Sequence, residues 1–170
     1  MKNYKSILLS NIGRLITANF DGVQSVEDTS ILIENGRIAS IGEGQSEHTI
    51  NCGGKMVTAG FVDSHTHPVF YNKRDEEYAI RLAGASYEEI ADKGGGIVSS
   101  VDGLRKASKE ELIEKVSFRM DRFISMGTTT IEAKSGYGLD TDSELKSLEV
   151  IDSVNQLHDI DMVPTFMGAH

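Results

Sequence analysis

This chain has a single cysteine, a shortage of positive charge and no long apolar run. Cys52 alone excludes an internal disulfide, which suits a reducing cytosol. It reads as a small residue in a loop or strand end rather than as a reactive thiol. Lys and Arg number 17 against 26 Asp and Glu, a net charge of −9. Nucleic acid and anionic membrane both need a basic face, so neither is expected as a partner. Lys2 and Lys5 precede Ile7-Leu8-Leu9, but Ser10, Asn11, Gly13 and Arg14 interrupt any signal-peptide core, and no stretch approaches transmembrane length. A cytoplasmic location is expected. What remains is an ordinary globular composition, 39% hydrophobic and 25% charged, in 170 residues that can bury a core as one or two domains.

Residues 1–57 read as an all-β segment and 58–170 as a second part of different rhythm. In the first, Ile31-Leu32-Ile33-Glu34 and Arg37-Ile38-Ala39-Ser40-Ile41 flank Asn35-Gly36, the pair that favours a type I′ hairpin turn. In the second, helices alternate with strands. Ser86…Glu89 and Ser108…Glu111 read as capping boxes, the latter opening a helix with Leu112, Val116, Met120, Phe123 and Ile124 on one face. Thr128 to Lys134 reads as a strand. Thr141…Glu144 reads as a third box, opening a helix that turns Leu145, Leu148, Ile151, Val154 and Leu157 inward, and Met162 to Met167 as the next strand. This alternation predicts βαβ units and a parallel sheet.

Two histidines stand two residues apart in Gly60-Phe61-Val62-Asp63-Ser64-His65-Thr66-His67-Pro68. On a strand, residues i and i+2 share a face, so His65 and His67 aim both imidazoles at one point, half the ligands of a transition-metal site. His-x-His also arises by chance, and its setting supplies the weight. Lys55 to Val62 reads as a buried strand, and Pro68 stops its ladder so that both histidines end it. The C-terminal ends of parallel strands are where α/β barrels keep their chemistry.

Arg74 follows in a polar loop. Its bland reading is a solvated surface residue; its functional one is a bidentate clamp for a substrate carboxylate. Ser135-Gly136-Tyr137-Gly138 follows a strand directly and presents an aromatic ring over the strand ends, where it can touch substrate. Gly168-Ala169-His170 suits a crowded strand end that a ligand approaches. Lys134 reads as a strand-end lysine paired with a carboxylate rather than as a carbamylated bridge, and His48 and His158 as surface residues. Gly94-Gly95-Gly96 lacks the spacing of a dinucleotide fingerprint. Only about three barrel-type strands are present, where a closed (β/α)8 barrel needs eight in about 250 residues. A truncated larger protein is favoured over a small open domain, because an open three-stranded sheet leaves apolar surface and a strand edge uncovered.

Phe61-Val62-Asp63-Ser64-His65-Thr66-His67 resembles the first-strand signature of the metal-dependent amidohydrolase superfamily. Arg81 to Tyr87, Gly94 to Ile97, Lys134 to Leu139 and Val163 to His170 resemble one family within it, which acts in histidine degradation, and the resemblance spans essentially the whole chain. It implies the N-terminal part of an amidohydrolase-type (β/α)8 TIM barrel, about three βα units, preceded by a small β-sandwich segment. It implies one divalent or trivalent transition metal, zinc or iron, held by His65 and His67 with a histidine and an aspartate that lie beyond His170. Arg74, Tyr137 and His170 align with the family's contacts to 4-imidazolone-5-propanoate, a cyclic amide hydrolysed to N-formimidoyl-L-glutamate. The general base also falls beyond residue 170, so no catalytic residue is assigned and the isolated chain is expected to be inactive. A homodimer is an option for the complete protein. Two alternatives stay open. One is another cyclic-amide hydrolase or aminohydrolase of the superfamily, against which Arg74 and the Ser-Gly-Tyr-Gly stretch argue. The other is a non-catalytic chain with an unfinished site.

Overall fold

A computed structural model describes residues 4–92 and 94–168, and the chain divides into two units, Met1–Ala59 and Gly60–His170. The first unit is a single sheet. Its strands are β1 (Ser6–Asn19), β2 (Gly22–Glu34), β3 (Arg37–Ile41), β4 (His48–Asn51) and β5 (Met56–Thr58). They lie in the order β3-β2-β1-β4, with β5 also on β1; β2 runs antiparallel to β1, and β4 and β5 run parallel to it. Among the described residues this unit is one layer of five strands, not the two layers of a sandwich. The hairpin forms at Asn35-Gly36, whose φ values of 51° and 75° are the paired positive angles of a type I′ turn. Ile12, Leu15 and Ile31 make a small core, against which Cys52 packs half-buried, in the structural role expected of it.

The second unit is mixed α/β. Strand β6 (Phe61–Thr66) leads through four helices, α1 (Asp75–Leu82), α2 (Tyr87–Asp92), α3 (Ile97–Lys106) and α4 (Lys109–Ser125), to β7 (Thr128–Lys134). Helix α5 (Thr141–Leu157) then leads to β8 (Asp161–Thr165), and the sheet is parallel in the order β6-β7-β8. Ile131, Ala133 and Met162 project from the sheet into a core with Leu112, Val116 and Met120 of α4 and Val150, Ile151 and Val154 of α5. Pro164 lies opposite Ala133 in the parallel β7–β8 ladder, so the proline does not end the strand. Among the described residues no helix is long and apolar enough to cross a membrane.

Three expectations need correction. Residues 55–62 do not form one buried strand: β5 ends at Thr58 in one unit, β6 begins at Phe61 in the other, and Phe61 and Val62 are 59% and 69% exposed. An apolar run does not reveal whether its strand is central, and among the described residues β6 pairs only with β7. The boxes at Ser86 and Ser108 form, with Ser108 Oγ accepting from Glu111 N at 3.1 Å and Glu111 Oε2 accepting from Ser108 N at 2.8 Å. The third does not: Asp140 is the N-cap of α5, accepting from Ser143 N at 2.8 Å, and Glu144 turns inward. Leu145 and Leu157, expected inside, are 51% and 77% exposed, because α5 buries Ser147, Val150, Ile151 and Val154 instead. The small Ser147 lets the helix approach its neighbours, its hydroxyl bonded to Ser143 O at 2.9 Å.

Lys146 ties α5 to the end of α3. Its Nζ donates to the carbonyls of Leu104, Arg105 and Ala107 at 2.8, 3.2 and 2.8 Å, satisfying acceptors that a helix C-terminus leaves unpaired. Replacing Lys146 with Ala is expected to cost about 1–2 kcal/mol, read from the midpoint of urea unfolding at unchanged m-value.

Candidate metal and substrate site

The site is built where β6 and β7 end. Side chains alternate along β7, so while Ile131 and Ala133 face the helices, Glu132 and Lys134 take the opposite face. Lys134 Nζ pairs with Glu132 Oε1, the carboxylate partner expected for it, and Thr165 Oγ1 donates to the same oxygen at 2.9 Å. The bond from Lys134, then that from Thr165, holds the Glu132 carboxyl below its usual range.

On β6 the pairing with β7 slips between Asp63 and Thr66. Asp63 Oδ1 accepts from His65 N at 3.2 Å, and Thr66 Oγ1 donates to Glu132 O at 2.6 Å. These bonds fix the strand end that carries both histidines, whose ring centroids lie 5.7 Å apart, edge to face. His67 Nδ1 is 3.1 Å from Ser135 O. A carbonyl only accepts, so Nδ1 carries the hydrogen and the neutral ring has its lone pair on Nε2.

The donor set can be tested against a metal on that geometry. With ring nitrogens about 2.0–2.1 Å from one tetrahedral ion, two imidazole centroids fall roughly 5 Å apart, close to the observed spacing. A backbone carbonyl on the far ring nitrogen is a usual orienting partner of a metal-binding histidine. The pair therefore fits a metal as half of its ligand set. Among the described residues no group of three or more His, Cys, Asp or Glu is gathered to complete it.

Tyr137 packs against His67 with ring centroids 5.4 Å apart. Arg74 occupies the N-cap position of α1, where its Nε bonds Glu77 Oε2 at 2.7 Å, while Glu77 Oε1 accepts from Gly96 N at 3.0 Å. His67, Arg74 and Tyr137 meet at one cavity of about 170 Å³, with Phe70, Asn72 and Ser100 completing its lining. His65 reaches this group through His67 rather than through the cavity wall. His170 lies outside the described residues. His48 stacks on Tyr4 within the first unit, and His158 closes α5 with Nε2 3.2 Å from Asp121 Oδ1, so each has a structural contact.

Sequence reasoning misses the residues that hold Tyr137. Glu144, 2% exposed, accepts from Gly136 N at 2.7 Å through Oε2, and from Gly138 N at 2.7 Å and Leu139 N at 3.0 Å through Oε1. Arg105 Nε lies 2.8 Å from both Gly138 O and Asp140 Oδ2 on the other side of the turn. The two glycines have separate causes. Gly136 sits at φ 116°, and a Cβ on Gly138 would come within 2.7 Å of Glu144 N. Glu144 is visible in the sequence, but as the last residue of Thr-x-x-Glu it matches a capping box equally well.

No family model matches the sequence. Imidazolonepropionase from a strain of Bacillus cereus is 46% identical over 179 aligned positions, covering 96% of this chain and 42% of the relative. That of Bacillus thuringiensis (strain Al Hakam) is 45% identical with the same coverage. Over nearly its own length, this chain is similar to imidazolonepropionases. It spans 42% of the length of these relatives. Among solved structures, a triazine hydrolase from Arthrobacter aurescens matches with a TM-score of 0.65 at 18% identity, covering 95% of this chain and 35% of its own. Guanine deaminase of E. coli matches at 0.63 and 15%, covering 97% and 36%. An atrazine chlorohydrolase from Arthrobacter aurescens TC1, complexed with zinc and atraton, matches at 0.56 and 19%, covering 92% and 34%. These likenesses are of fold.

The Glu144 cage sets a pH dependence. Burial pushes its carboxyl up, but the bonds from Ser135, Leu139, Gly138 and Gly136 together outweigh burial and leave it below the usual value. A carboxylate lowered on folding contributes stability that is present above its unfolded value of about 4.3 and lost as pH falls through the folded one. Tm is therefore expected to fall as pH is lowered below about 4.3, with a smaller fall in Glu144→Gln, measured by circular dichroism.

Proposed function

We propose that this chain supplies the first metal ligands and the substrate-carboxylate clamp of a hydrolase that opens the cyclic amide of 4-imidazolone-5-propanoate, in histidine degradation. The observation that carries this is the single cavity shared by His67, Arg74 and Tyr137. The family relationship supports it, with relatives 45–46% identical that bear the name of this activity. In this reading the three parallel strands of residues 60–170 begin an amidohydrolase-type (β/α)8 barrel, and the sheet of residues 4–59 is part of a small β-sandwich. The protein works in the cytoplasm on a small molecule.

The reaction adds water across the ring amide. The carbonyl carbon gains the hydroxyl oxygen, its C–N bond breaks, and the departing nitrogen takes a proton, giving N-formimidoyl-L-glutamate. Arg74 binds the propanoate tail. Its Nε is held by Glu77, which leaves the guanidinium anchored at the cavity edge with its Nη groups as donors for a carboxylate. Tyr137 and His170 orient the ring and stabilise the charge that develops on the carbonyl oxygen. His65 and His67 would hold zinc or iron together with a histidine and an aspartate from outside this chain, and His67 is pre-set for that by its bond to Ser135. When bound, the metal supplies a water of lowered pKa as nucleophile. The general base would also come from outside these residues.

In the complete enzyme, Arg74→Ala is expected to raise KM about tenfold or more with kcat little changed, because a carboxylate clamp holds ground state and transition state alike. An unchanged KM removes Arg74 from the site. Dihydropyrimidine-type rings, assayed beside imidazolone propanoate, decide against another cyclic-amide hydrolase.

Two imidazoles leave a metal with mostly solvent as its other ligands. The 170-residue chain by itself is expected to bind zinc weakly in equilibrium dialysis and to leave imidazolone propanoate intact. Stoichiometric zinc together with measurable ring opening would overturn that expectation.

A further inference from the structure

The turn after β7 is held more tightly than a surface turn requires. Three donors, Gly136 N, Gly138 N and Leu139 N, converge on the two oxygens of one buried carboxylate from α5. Leu139 adopts φ 54°, a left-handed conformation that costs a β-carbon residue about 1 kcal/mol and persists only where the surroundings over-determine it. Ser135, which opens the turn, accepts from Met167 N through its hydroxyl at 3.0 Å and donates its N–H to Thr165 O at 3.0 Å, so the end of β8 is tied to the same turn. Ser135 also offers its carbonyl to His67 Nδ1. Between Ser135 and Gly138 stands Tyr137, with its ring against His67.

We propose that Glu144 is a positioning residue for this site: by gathering the amides of Gly136, Gly138 and Leu139, it sets the Ser135 carbonyl that selects the His67 tautomer and places the Tyr137 ring beside that imidazole. Glu144 is not among the residues that line the cavity. It acts through the turn. Glutamine cannot replace it, because its amide NH₂ would face a backbone N–H where the second carboxylate oxygen stood. Arg105 clamps the outside of the turn and leaves Glu144 as the inner anchor. The role of the site rests on the proposed hydrolase; the positioning of His67 and Tyr137 does not.

The test reads the imidazole directly. Long-range 15N–1H spectra of the metal-free 170-residue chain, taken well above the ordinary imidazole pKa of about 6.5, report which ring nitrogen of His67 carries the proton. Wild type is expected to show Nδ1–H. Glu144→Gln is expected to lose that preference while its circular dichroism remains that of a folded chain. Glu144→Asp, which keeps the charge but withdraws it by one methylene, is expected to show a partial loss, and it decides the question should the Gln variant fail to fold. An unaltered Nδ1–H signal in the folded Gln variant, or in the Asp variant where only that one folds, overturns the proposal.

In the complete enzyme Glu144→Gln is expected to lower zinc affinity and kcat by about ten- to a hundredfold, with KM changed far less than by Arg74→Ala. Equal effects on KM would show that the turn and the clamp are not separate, against the proposal. Should wild type fail to open imidazolone propanoate at all, the hydrolase reading falls, while the His67 spectra still decide the role of Glu144.

Discussion

A carboxylate with almost no exposure must be surrounded by donors, and Glu144 is surrounded by the backbone that follows β7. Burying a charge is costly unless its lone pairs are filled, and here three backbone amides bond to them. The cost and the compensation together make the turn a rigid object. A surface turn with the same Ser-Gly-Tyr-Gly letters would sample many positions for its aromatic ring. Here moving the ring would break the amide bonds that fill an anion's lone pairs in the core. The left-handed Leu139 and the close approach at Gly138 are local consequences of that constraint.

The rest of the second unit serves the same end. Helices α4 and α5 bury one face of the parallel sheet, and that packing gives α5 a fixed height from which Glu144 reaches the turn. Lys146, two residues along the same helix, reaches the end of α3, the helix that also carries Arg105 and Ser100. Arg105 then closes the turn from outside. One helix therefore coordinates two walls of the cavity through a buried anion and a half-buried cation. Both act on backbone groups, which every sequence possesses, so neither depends on a complementary side chain appearing elsewhere.

Much of this is legible in the sequence. The spacing of His65 and His67, the strand at Thr128 to Lys134, the box at Ser108 and the hairpin at Asn35-Gly36 follow from periods and turn chemistry that are local in sequence. The carboxylate partner of Lys134 is expected from position, and it is Glu132 on the same strand face. The failures share a different character. The exposure of Phe61 and Val62 depends on which strands β6 pairs with, and the inward face of α5 on how closely it packs, set by the small Ser147. Glu144 escapes a sequence reading because an N3 glutamate and a core glutamate look alike in a window of four residues. Asp140, one residue before Thr141, is an equally good cap, and it prevails because Glu144 has three backbone amides to satisfy.

The sequence by itself determined the chemical kinds present: a histidine pair with strand spacing, an arginine able to grip a carboxylate, an aromatic between two glycines, and the likeness to one group of enzymes. Those properties are carried by residue identity and short-range period. Only the tertiary structure decided that His67, Arg74 and Tyr137 share one cavity, which nitrogen of His67 bears the hydrogen, and which buried group bonds the turn that carries Tyr137. Each of these depends on residues separated by tens of positions meeting at one strand end. Such meetings are fixed by packing and by the need to satisfy every buried donor and acceptor, and no local pattern encodes them.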